Sequence, residues 1–330
     1  MNTNVAVIGG GSWATANVKM LSNHAGQIHW WVRSADTVQF IHKYKHNPNY
    51  LTDVEINLEK VIPTNDIATV LSSSDMVILN IPSAFLMTAL KPLTSKDFEN
   101  KVVFSAIKGI VPEHNLIVGD MLLQHYQVKP QNIGVLTGPC HAEEVALEKL
   151  SYLTVACQHK ENAVRMADLL ACRYIRTTLS DDIYGTEYAA VLKNIYSIAA
   201  GIFHGLGYGD NFQAVLISNA VREMQRFIQA VHPITRDIND SAYLGDLLVT
   251  AYSQFSRNRM FGAMLGKGYP VKFAQLEMNM IAEGYYAVKC IMEINKKYNV
   301  AIPICEAVYR VCYEKIAPRV EMKLLTNHLN

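Results

Sequence analysis

Val5-Ala6-Val7-Ile8-Gly9-Gly10-Gly11-Ser12-Trp13-Ala14-Thr15-Ala16 decides the fold: four apolar residues run into G-x-G-x-x-A, and a helical stretch follows to Leu21. The apolar run reads as a strand buried on both faces. Gly9 permits a tight turn, Gly11 lets the backbone approach a pyrophosphate, and Ala14 allows the helix to pack close to the strand. The helix N-terminus then offers unpaired N–H groups and the positive end of its dipole to a phosphate. The second strand ends Trp30-Trp31-Val32-Arg33. An acidic residue at this point would bind the ribose 2′-hydroxyl of NAD, whereas a basic one accepts a 2′-phosphate, so Arg33 tilts the reading toward NADPH.

Outward from this turn, short apolar runs alternate with helical stretches. Strands are expected at Val5–Ile8, Ile28–Val32, Met76–Ile81, Val102–Ile107, Ile133–Leu136, Leu153–Ala156 and Tyr174–Thr178. Strands separated by helices imply βαβ units and a largely parallel sheet. Past about residue 180 the texture becomes helical. Helices are expected over Thr186–Phe203, Phe212–Val231, Leu244–Phe255, Phe273–Asn299 and Cys305–Arg319, with turns at Gly205–Asn211 and Asp237–Ala242. The expected architecture is an α/β N-terminal Rossmann-type domain with a mostly parallel sheet (residues 1–180) and an all-α C-terminal domain (residues 181–330).

Composition narrows the function. At 330 residues the chain is long enough for two domains. Thirty Lys and Arg against 29 Asp and Glu leave a formal charge of +1, without the basic bias of nucleic-acid or membrane-surface proteins, so any anion site must be local. The six cysteines form no C-x-x-C pair and no zinc-like spacing with histidine, which points to free thiols in a reducing compartment and to no metal site. No signal sequence opens the chain, and the longest apolar helical run, Tyr188–Phe203, contains Lys193 and Asn194 and falls short of a membrane span. A cytoplasmic protein is expected.

Several further stretches carry a resemblance, in order, over residues 9 to 284. They are Gly9–Ala16, Ile81-Pro82-Ser83, Ser105-Ala106-Ile107-Lys108-Gly109, and Glu187-Tyr188-Ala189-Ala190-Val191-Leu192-Lys193-Asn194. Ala199-Ala200-Gly201 with Gly205-Leu206-Gly207-Tyr208-Gly209-Asp210-Asn211, Leu244-Gly245-Asp246-Leu247 and Ser256-Arg257-Asn258-Arg259 complete the set. Together they resemble the NAD(P)-dependent glycerol-3-phosphate dehydrogenases. The resemblance implies interconversion of dihydroxyacetone phosphate and sn-glycerol 3-phosphate with NADPH or NADH, feeding phospholipid synthesis, with a homodimer as the candidate assembly.

Residue by residue, the resemblance places the cofactor on Gly9, Gly11, Ser12, Trp13, Arg33, Tyr50, Ala142, Ile281 and Glu283, with Lys108 and Arg257 touching both cofactor and substrate. Lys193 is the implied proton donor and acceptor, with Lys108 and Asp246 beside it. Gly138, Cys140, Thr250, Ser256, Arg257 and Asn258 would hold the phosphorylated substrate. The chemistry agrees: hydride delivery to a ketone leaves an alkoxide that a nearby ammonium can protonate, and clustered cations lower a lysine's pKa. Arg257 with Asn258 suits bidentate phosphate recognition. Three departures stand out: Cys140-His141 in place of Ser/Thr-Phe, Ser241-Ala242-Tyr243 in place of a glycine-rich approach, and Met260 where another arginine is common. The competing readings are a related dehydrogenase acting on another small hydroxy acid, which the phosphate-binding segment disfavours, and a non-catalytic NADPH-binding sensor, which the Lys193-Asn194 pair disfavours.

Overall fold

The computed structural model describes residues 3–278 and 282–330. The chain divides into two compact units, one of Met1–Ile107 with Val118–Ile183, the other of Lys108–Ile117 with Tyr184–Asn330.

In the first unit the elements run β1 (Val5–Ile8), α1 (Ser12–Leu21), β2 (Ile28–Trp31), α2 (Ala35–Tyr44), β3 (Val61–Thr64), α3 (Ile67–Ser72), β4 (Met76–Leu79), α4 (Ser83–Leu90), β5 (Val102–Ser105), α5 (Val118–Tyr126), β6 (Ile133–Thr137), α6 (Ala142–Ala146), β7 (Ser151–Cys157), α7 (Lys160–Leu170) and β8 (Ile175–Ser180). They build one eight-stranded sheet in the order β3-β2-β1-β4-β5-β6-β7-β8. Every pairing is parallel except β6 with β7. The first six strands have the order 3-2-1-4-5-6 of doubly wound dinucleotide-binding sheets. Strands β1, β2, β4 and β5 are buried along their whole length, as their unbroken apolar runs require. The seven expected strands all form; β3 is an eighth that the apolar pattern did not reveal. It lies at the sheet edge, alternates buried and exposed residues, and contains Pro63, which an edge strand tolerates.

The second unit contains α8 (Ile183–Gly205, whose first residue belongs to the first unit), α9 (Asp210–Val231), a single π-helical turn at Ser241–Gly245, α10 (Asp246–Tyr252), α11 (Arg257–Gly266), α12 (Val271–Glu277), α13 (Glu283–Tyr298), α14 (Pro303–Cys312) and α15 (Pro318–Thr326). Helix α8 is its axis: residues 185–203 are all buried, the pattern of a helix covered on every side. The surrounding core draws on Ile195, Tyr196, Phe203, Leu216, Phe227, Phe261, Ile291 and Val308, and Ile110 and Ile117 join it. Three expected helices differ from those observed. Phe273–Asn299 is two helices, α12 and α13, and Cys305–Arg319 is also two, because Pro318 starts α15 instead of continuing α14. Leu244–Phe255 shortens to α10 behind the π turn, which also takes in Ser241 and Ala242 from the expected turn. Helix α11 was read only as a phosphate-binding segment.

Candidate functional site

The first group of site residues lies in the first unit, at the carboxyl ends of β1 and β4, the neighbouring strands where the strand order reverses and where open α/β sheets bind ligands. Gly9 has φ +137°, and a Cβ on it would lie 2.5 Å from the Asn80 carbonyl oxygen, so no other residue fits without strain. The turn is tied from several sides. Gly9 N–H donates to the Trp31 carbonyl (3.1 Å), and the Trp30 indole N–H donates to the Gly9 carbonyl (2.7 Å). Asn47 Nδ2 donates to the Gly10 carbonyl and to Thr15 Oγ1, both at 3.0 Å. Above Gly11 the space is open, with nothing within 4 Å of where a Cβ would stand. Gly11 caps α1 without a side-chain hydrogen bond, which leaves first-turn N–H groups for a ligand. Trp13 adds a buried indole N–H that has no partner among the described residues. A held turn, an open approach and unspent donors fit a dinucleotide pyrophosphate.

The other expected residues of this unit are dispersed around its strand ends. Arg33 is exposed two residues past β2, and Tyr50 is half-buried. Gly138 follows β6 with φ +118°. The Cys140 thiol donates to the Tyr152 carbonyl at 3.1 Å, and Ala142 opens α6, buried.

The second group lies in the second unit, where four residues from three distant parts of the sequence converge. Asp246, the first residue of α10, is buried, its side chain only 1% exposed. Lys193 Nζ from the middle of α8 contacts its Oδ1 at 2.8 Å, and Lys108 Nζ contacts its Oδ2 at 2.9 Å. Lys193 also donates to Thr250 Oγ1 at 2.7 Å, and that hydroxyl in turn donates to the Asp246 carbonyl at 2.6 Å. Two of the three ammonium hydrogens of Lys193 are thereby committed, and the group is aimed by its contacts. Burial, together with the Lys108 ammonium, brings the Lys193 ammonium down to about 7 against the pull of Asp246. Burial works against the Asp246 carboxylate, yet the two ammoniums outweigh it and hold its pKa below the usual carboxylate range. A carboxylate that stays charged beside a lysine that titrates near neutrality can hold and move a proton.

Arg257 is exposed at the first position of α11, and Ser256 caps that helix by accepting from Arg259 N–H at 3.3 Å. Asn258 is buried, and its Oδ1 accepts from Gly284 N–H at 2.9 Å, so the amide can act further only through its Nδ2 donor. Glu283 opens α13, half-buried; Ile281 lies outside the described residues. Two contacts escaped the reading of the sequence. Asn194 Nδ2 donates to the Lys108 carbonyl at 2.7 Å, fixing the backbone that carries that lysine. The hydroxyl of Ser197, also on α8, meets both the Thr250 carbonyl and Ser256. The available signal was a polar residue four positions after Lys193, on the same helix face.

Comparison with known proteins settles the lineage. The profile described as NAD-dependent glycerol-3-phosphate dehydrogenase N-terminus matches residues 4–163, and the one described as its C-terminus matches residues 182–323. The chain belongs to this family. It is 34% identical to a glycerol-3-phosphate dehydrogenase [NAD(P)+] of Exiguobacterium sp. over 323 residues, 98% of this chain and 94% of that one. A relative of the same name from Syntrophomonas wolfei is 32% identical, with 96% of this chain and 93% of that one covered. Among solved structures, glycerol-3-phosphate dehydrogenase from Coxiella burnetii superposes with a TM-score of 0.91 at 26% identity, covering 98% of this chain and 99% of that one.

Proposed function

We propose that the chain interconverts dihydroxyacetone phosphate and sn-glycerol 3-phosphate with NADPH or NADH, and that this supplies glycerol 3-phosphate for phospholipid synthesis. The observation that carries the reading is Lys193: a buried ammonium held by Asp246 and Thr250 and poised near neutral pH, in a chain both halves of which match the family. The nicotinamide cofactor, when bound, supplies the hydride that reaches the ketone carbon.

The chain's own residues do the rest. Gly9, Gly11 and the α1 N-terminus at Ser12 cradle the pyrophosphate, Arg33 takes the 2′-phosphate of NADPH, and Trp13, Tyr50, Ala142, Ile281 and Glu283 complete the cofactor's contacts. Lys193 gives a proton to the C2 oxygen during reduction and takes it back during oxidation. Asp246 orients the ammonium, and the Lys108 charge steadies the developing alkoxide. Arg257 and Asn258 grip the phosphate, with Gly138, Cys140, Thr250 and Ser256 lining the substrate. Cys140 acts by packing and its hydrogen bond to Tyr152, since hydride transfer to a ketone needs no covalent nucleophile. A homodimer and a cytoplasmic setting complete this reading; among the described residues no helix is long and apolar enough to cross a membrane. The test is the loss of NADPH absorbance with dihydroxyacetone phosphate beside a panel of unphosphorylated keto acids. Turnover confined to the phosphorylated ketone supports the proposal; turnover only on a keto acid, or cofactor binding without turnover, overturns it.

A further inference from the structure

Two buried hydroxyls in the second unit, those of Ser256 and Ser197, link a backbone donor to a backbone acceptor in a chain whose direction is forced. Ser197 Oγ lies 2.9 Å from the Thr250 carbonyl, which can only accept, so the single Ser197 proton goes there. The contact between Ser197 Oγ and Ser256 Oγ, also 2.9 Å, must then be a donation from Ser256. Ser256 itself accepts from Arg259 N–H as the cap of α11. The sequence of donations runs from Arg259 N–H to Ser256, to Ser197, to the Thr250 carbonyl. It links the start of α11 to the end of α10 through a single residue of α8. Ser197 is fully buried, so neither bond is replaced by water if the hydroxyl is removed. It sits four residues after Lys193, one turn along the same face of α8.

Helix α11 also presses on α8 without side chains between them. A Cβ on Gly262 would stand 2.1 Å from the Ile198 carbonyl oxygen, next to Ser197 in the chain. The two helices therefore meet backbone to backbone just beyond the Ser197–Ser256 contact, and α11 has little freedom to slide except by losing that contact.

We infer that Ser197 is a positioning residue: its hydroxyl fixes the N-terminus of α11, and with it Arg257, relative to Lys193 on the same α8 face. It thereby sets the spacing between the group that grips the phosphate and the group that moves the proton. The inference rests on the proposed roles of Arg257 and Lys193. Thr250 keeps its place without Ser197, because its own hydroxyl is bonded to the Asp246 carbonyl.

The test is a set of kinetic measurements on full-length variants with dihydroxyacetone phosphate and with unphosphorylated dihydroxyacetone. Ser197→Ala is expected to raise KM for dihydroxyacetone phosphate about fivefold, the loss of roughly one net hydrogen bond, with kcat within about twofold of wild type. The kcat/KM for dihydroxyacetone should be unchanged. Ser197→Cys, which keeps a donor of similar size, should recover part of the lost affinity. In an Arg257→Ala background, Ser197→Ala should cost less than in the wild type, since the main residue through which it acts is gone. Arg257→Ala alone tests the underlying reading: equal losses on both substrates would overturn the phosphate role and the inference with it. If Arg257→Ala is selective for the phosphorylated substrate, the inference falls alone on either of two results: an unchanged KM in Ser197→Ala, or a loss shared equally by both substrates.

Discussion

Two side chains, Lys193 and Arg33, carry the proposed chemistry at the scale of single residues. Lys193 is buried and titrates near 7, so it is charged below that value and neutral above it. In the proposed mechanism reduction needs the ammonium and oxidation needs the free amine. The kcat/KM for reducing dihydroxyacetone phosphate is therefore expected to fall about tenfold per pH unit above roughly pH 7, while the reverse reaction gains over the same range. A pH-rate profile measured in both directions checks this; parallel profiles would place the titrating group elsewhere. Arg33 is exposed past the end of β2, with no acidic residue in its place to bind a ribose hydroxyl. Arg33→Asp should shift the NADH:NADPH ratio of kcat/KM by about tenfold to a hundredfold toward NADH, the range of a charge-assisted hydrogen bond. An unmoved ratio would mean that Arg33 does not select the cofactor. The individual roles could be proposed only through motif resemblance, because the partners of Asp246 stand 53 and 138 residues away in sequence. Nothing in local pattern predicts that Lys108 and Lys193 share one carboxylate, or that Asn258 spends its Oδ1 on Gly284.

Among the elements, the crossing of α8 and α11 governs the second unit. Gly205 on α8 meets Gly266 on α11, Gly262 of α11 lies against the backbone of Ile198 and Ile202, and a Cβ on Gly201 would lie 2.1 Å from the Arg259 carbonyl oxygen. Backbone cannot retreat as a flexible side chain would, so Gly201→Ala should cost at least about 1–3 kcal/mol by overpacking. Chemical denaturation measures it; a wild-type midpoint would show that the helices can separate freely. The same glycines explain why α11 was not foreseen as a helix: two of its ten residues are the weakest ordinary helix former. The break between α12 and α13 escaped for the opposite reason. Gln275–Ala282 contains neither glycine nor proline, so its apolar spacing reads as one continuous helix. By contrast β1, β2, β4 and β5 were readable because sheet interior demands unbroken apolar runs, and β3 was not, because an edge strand does not.

At the scale of the whole molecule, the chain folds into a unit built on the eight-stranded sheet and a helical unit that holds Lys193, and each has its own apolar core. Global stability carries a signature of Glu223 on α9, which is fully buried and accepts from the N–H groups of Ile304 and Cys305 at the start of α14 (2.8 and 3.1 Å). Burial outweighs those bonds and the nearby Arg226, and raises its pKa from 4.5 to about 7; Tyr196 and Cys305 also face it. The folded chain thus holds a proton in this interval that the unfolded chain lacks. The stability this provides is full below the unfolded value and is lost as pH rises through about 7. Glu223→Gln should flatten that loss, seen by comparing denaturation midpoints of the two proteins at about pH 5 and about pH 8; identical slopes would contradict it. The central claim, that Lys193 moves the proton in a reaction of dihydroxyacetone phosphate, has one most direct test. Lys193→Met preserves the length and most of the packing of the side chain while removing its proton. NADPH affinity, followed by fluorescence, should stay near wild type, and kcat should fall at least about a hundredfold in both directions. A variant that binds NADPH and turns over near the wild-type rate would contradict the account.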